Sequence, residues 1–183
     1  AIAADLLVDN FSETPARFTK QELQSLTDHC RGNIAALVQG ATPSYYLPGC
    51  SDATVQGISL ALTPSPGASA LQFCRLSMRP GLPLQATLYQ LAESAAKWVS
   101  TQRDPHQIVA QLRVAVSVFS DSALLGTVAD SDLGVFNCSR RALVVIEQDR
   151  IAWEYDPERA ASQLLADASR NVRSVDPEIA AVY

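Results

Sequence analysis

Thiols are this chain's best candidates for chemistry. Cys74 lies in Leu71-Gln72-Phe73-Cys74-Arg75-Leu76-Ser77-Met78, a predicted strand that leads through Arg79-Pro80-Gly81-Leu82-Pro83 into a predicted helix. A thiol at such a junction can act as a nucleophile when cations and a helix N-terminus favour the thiolate. Arg75 and Arg79 are the cations at hand, as thiolate stabilisers or as ligand-binding groups. The competing reading is a buried cysteine that packs as a small apolar group. A catalytic thiol also needs a base. His106 is the candidate, in the polar stretch Thr101 to Gln107, and its competing reading is an exposed surface histidine. Cys138 falls in Asn137-Cys138-Ser139-Arg140-Arg141, a predicted turn. It is either an exposed, arginine-flanked thiol or a turn residue without a role. Arg140 and Arg141 could hold an anion or remain solvated charges.

Other chemistries find little support. Cys30, Cys50, Cys74 and Cys138 contain no C-x-x-C pair, so neither a zinc site nor a thioredoxin-type redox site is signalled. Two disulfides are possible in number. Without a secretory signal, four reduced thiols in a cytoplasmic setting is the favoured reading. The two histidines, His29 and His106, are too scattered for a histidine-rich metal site. Asp130-Ser131-Asp132 lacks the glycine and further ligands of a calcium loop. Nucleotide-binding glycine loops and the G-x-S-x-G elbow are absent from the sequence, so no cofactor is expected. A net charge of −5 repels phosphate backbones and argues against nucleic acid as a partner. No apolar run has the length of a membrane span. Ala1 to Asp9 lacks the basic start and apolar stretch of a signal peptide. The chain begins without Met and reads as an excised piece of a longer protein.

The elements that must position these residues follow from periodicity. Thr19-Lys20-Gln21-Glu22 has capping-box spacing. Leu23, Leu26, Cys30, Ile34, Leu37 and Val38 then recur at helical steps, which places Cys30 in the core, and Gly40 is the stop. Ala41 to Asp52 reads as an irregular loop. Val55 to Leu62 and the Cys74 run read as a hairpin joined around Pro64-Ser65-Pro66-Gly67. Pro83 to Ser100 is a second helix with Leu84, Leu88, Leu91, Ala92, Ala95 and Val99 as its apolar stripe. Leu112 to Phe119 alternates with period two, the signature of a strand. Leu133 to Asn137, Ala142 to Ile146 and Arg150 to Tyr155 suggest three more. Asp156-Pro157 is expected to open a last helix, with Ala161, Leu164, Leu165 and Ala168 inside. Trp98 and Trp153 read as packing anchors.

Strands therefore cluster instead of alternating with helices. That predicts an α+β fold with mainly antiparallel sheets and flanking helices. At 183 residues, 48% hydrophobic and 18% charged, the chain has enough apolar material for a core without disulfide staples.

The order of elements resembles the AMMECR family, whose genes travel with Memo and radical-SAM partners. Phe18-Thr19-Lys20-Gln21-Glu22-Leu23 with Asn33-Ile34-Ala35-Ala36-Leu37 is similar to that family's opening helix. Val55-Gln56-Gly57-Ile58-Ser59-Leu60 with Leu71-Gln72-Phe73-Cys74 is similar to its paired strands, which end in L-R-G-C-I-G. Pro83-Leu84 with Ala92, Ala95 and Ala96 resembles the next helix, and Leu112 to Phe119 resembles its V-S-V-L strand. Gly134-Val135 and Arg140-Arg141-Ala142-Leu143 echo its closing segment. Cys74 falls on the signature cysteine, while Gln72, Phe73, Arg75 and Leu76 replace its neighbours. Leu133 stands where the family has a histidine. The resemblance implies a two-lobed α+β domain over residues 17–172, with an extension at 1–16 and a tail at 173–183. It also implies Memo-like or radical-SAM proteins as partners.

Two functions follow as expectations. One is a non-catalytic binding or assembly module of AMMECR type. The other is a thiol-dependent enzyme that uses Cys74 as nucleophile on a small or peptide-linked substrate. Bulky Phe73 and Leu76 at the family's glycine positions remove backbone freedom near the thiol and favour the first.

Overall fold

The capping box starts the first helix. In the computed structural model, which describes residues 18–47, 53–78, 81–134, 136–172 and 176–183, Thr19 Oγ1 accepts from the Glu22 amide at 3.1 Å. Glu22 Oε2 accepts in return from the Thr19 amide at 3.0 Å. Helix α1 (Lys20–Gln39) then runs to Gly40, whose left-handed φ of 73° closes it. Strand β1 (Thr54–Val55) is followed after Gln56 by β2 (Gly57–Thr63), β3 (Leu71–Leu76), β4 (Leu82–Pro83) and helix α2 (Leu84–Ser100). A short helix α3 (Pro105–Gln111) and strand β5 (Arg113–Phe119) complete a unit that spans 17–120.

β2 is the central strand of a three-stranded antiparallel sheet in the order β3-β2-β5. Its side chains alternate between two faces. Ile58, Leu60 and Leu62 are fully buried and pack with Leu26, Cys30 and Ile34 of α1 and Leu84 and Leu88 of α2. Their ladder partners Phe73 and Leu71 on β3 and Val118, Val116 and Val114 on β5 extend this apolar face. Each fully buried Leu contributes roughly 1.5–3 kcal/mol, which makes this face the main stabilising layer of the unit. Gly57, Ser59 and Ala61 project to the other face. β1 and β4 pair separately, Thr54 with Pro83 and Val55 with Leu82.

Residues 121–183 form a second unit with its own core. Strands β6 (Gly126–Thr127), β7 (Leu143–Glu147), β8 (Arg150–Glu154) and β9 (Ala181–Val182) make an antiparallel sheet in the order β6-β9-β7-β8. Helix α4 (Ala161–Val172) lays Leu164, Ala168 and Val172 on Leu143, Val145 and Val182. Gly126 has φ +128°, and a Cβ there would meet the Asp130 carbonyl oxygen at 2.2 Å. Only glycine fits this close approach. Arg159, Asp167 and Arg170 form an ion-pair cluster beside α4.

The α+β class is as predicted. Four local expectations change. Thr101 to Gln107 is no simple break, because Asp104 caps α3 by accepting from the Gln107 amide at 3.3 Å. The described residues of Leu133 to Asn137 form no strand; the Phe136 amide instead donates to the Leu133 carbonyl at 3.2 Å. Asp156 makes a turn, accepting from the Glu158 amide at 3.0 Å, and the helix starts later at Ala161. Within the stretch taken as a tail, Ala181 pairs with Ile146 and Val182 with Val145, so β9 is an interior strand. No helix among the described residues is long and apolar enough to cross a membrane.

Candidate functional site

Cys74 is exposed, so the buried-core reading is removed. β3 explains why. Leu71 and Phe73 pair with Leu62 and Leu60 and turn inward. Gln72 and Cys74 have the opposite parity and turn outward. Cys74 lies opposite Ser59, and Ser59 lies opposite Ser117, so the three form one row across the outer sheet face. Ser59 is buried and donates its hydroxyl to Gln72 Oε1 at 2.8 Å.

Neither histidine joins the thiol, and Arg75 turns to the other sheet face. Arg75 pairs with Ile58, and its side chain leaves β3 on the face opposite to Cys74. Arg79 lies outside the described residues, as does Cys50. His106 is exposed on α3. That helix packs on α1 and α2, the layer covering the Ile58 face. His29 belongs to α1, where its Nε2 is 3.3 Å from Asn33 Nδ2. These are the chain's two histidines, so no imidazole stands on the Cys74 face. A nucleophile and its base must come within hydrogen-bond reach, and this unit separates them by a sheet.

The remaining sequence candidates settle into local roles. Cys30 is buried on α1, and burial pushes its thiol up to about 12. It stays neutral and unreactive at physiological pH. Cys138 is partly buried against the second core. Asn137 Oδ1 accepts from the Ser139 amide at 3.1 Å, which makes this segment a side-chain-supported turn. Asp132 Oδ1 accepts from the Gly134 amide at 2.9 Å. Among the described residues no group of three or more His, Cys, Asp or Glu could hold a metal ion.

One surface feature escaped sequence reading. Tyr45 and Tyr46, in the segment after α1, cluster with Tyr89 of α2. The Tyr45 ring centroid is 5.6 Å from that of Tyr46 and 5.3 Å from that of Tyr89, both in edge geometry. Tyr46 is 77% exposed and Tyr45 41%. The segment is pinned on both sides. Buried Asn33 donates from Nδ2 to the Ser44 carbonyl at 2.7 Å and accepts at Oδ1 from the Ser44 amide at 2.8 Å. The amide of buried Leu47 donates to Gln85 Oε1 at 2.9 Å. The adjacent Tyr45 and Tyr46 between Pro43 and Pro48 were the available signal.

No protein-family model matches the chain, and no curated protein sequence matches it. Its fold is similar to the crystal structure of an uncharacterized protein, PH0010 from Pyrococcus horikoshii. The TM-score is 0.60, with 17% identity over 92% of this chain and 90% of that one. Identity at that level makes this a likeness of fold.

Proposed function

We propose that the chain is a non-catalytic binding and assembly module, AMMECR-like in descent, that acts beside Memo-like or radical-SAM protein partners. The observation that carries this reading is the separation of the exposed Cys74 from both histidines by the β3-β2-β5 sheet. A nucleophilic thiol needs a base within hydrogen-bond reach, and neither histidine meets that requirement. The tyrosine cluster supplies what a binding module needs. Tyrosine is over-represented among residues that anchor interfaces, and a pre-ordered anchor costs little entropy on association.

The test is co-purification of the tagged chain with co-expressed Memo-like and radical-SAM proteins, with Tyr46→Ala as the variant. Loss of an anchoring tyrosine weakens a complex by about 2 kcal/mol, roughly 30-fold. In parallel, the iodoacetamide rate of Cys74 is followed from pH 5 to 9. Equal capture of wild type and variant sinks the tyrosine anchor. A Cys74 reactivity midpoint below about 7 would restore the thiol-enzyme reading.

A further inference from the structure

We draw no further inference here: the strongest candidate, the face of the four-stranded sheet turned away from α4, where Val144, Ile146 and the exposed Ile151 lie, carries nothing because nothing in the structure shows what covers it.

Discussion

Replacing Asn33 by Leu tests whether one buried amide holds the tyrosine segment in place. Asn33 is 4% exposed and makes both of its short bonds to a single residue, Ser44. Leu keeps the same number and branching of side-chain heavy atoms and has no polar atom. The substitution therefore removes these two hydrogen bonds at roughly 1 kcal/mol each, along with the longer contact to His29 Nε2. Ser44 is itself exposed, so water can recover part of what its amide and carbonyl lose. The added apolar burial of Leu offsets a further fraction. The expected net loss is about 1–2 kcal/mol in urea denaturation of the 17–120 unit.

The same substitution has a local readout. Without the clamp, the segment opens independently of global unfolding. Amide exchange at Ser44 should then accelerate about 5- to 30-fold, the equivalent of that energy. Partner capture should also fall with all three tyrosines intact, because ordering the segment becomes part of the binding cost. An exchange rate at Ser44 within twofold of wild type would refute this account. A loss of stability without local opening would show that Asn33 acts through core packing alone.

Cys30 should resist iodoacetamide in the native protein up to pH 9 while exposed Cys74 reacts, as read by mass spectrometry of each peptide. Its raised value also makes stability fall as pH climbs from 9.0 towards about 12, by at most ~4 kcal/mol, and Cys30→Val should abolish that alkaline limb in denaturant titrations. Gly126→Ala should destabilise the 121–183 unit by about 2 kcal/mol or more, because the new methyl meets a backbone oxygen; unchanged thermal unfolding would contradict the tight turn. A hydrogen bond from Arg159 holds the Asp167 carboxyl below the usual carboxylate range. Its contribution is present above the unfolded value and lost as pH falls through the lowered one, so Asp167→Asn should flatten the acid limb, and added salt should shrink the difference.

Sequence alone reached those parts of the fold whose signals are local. Thr19 and Glu22 form their box wherever α1 packs, and the apolar steps from Leu26 to Ile34 point to the core without knowledge of a partner. The three Asp-Pro pairs mark where local signals fail. Asp104-Pro105 opens a helix, whereas Asp156-Pro157 and Asp176-Pro177 make turns, with Asp156 and Asp176 accepting from the amides of Glu158 and Glu178. Capping side chains suit both outcomes, and the packing that follows selects between them. α3 buries none of its residues, so no apolar period announced it. At the candidate site, the facing of Cys74 stayed open in the sequence, because polar Gln72 and apolar Leu76 both share its parity. The distance from His106 stayed open too, since it depends on which sheet face the helices cover.

The placement of β9 fixes an order of events during synthesis. Its two residues pair with β6 on one side and β7 on the other, so they close a sheet whose other strands were made earlier. The 17–120 unit contains every strand of its own sheets and can complete them while translation continues. The 121–183 sheet cannot close until Ala181 and Val182 have left the ribosome. Before then, β6 and β7 each present an unpaired edge. A stall or cleavage just short of Ala181 would thus leave one finished unit joined to an adhesive, half-built one.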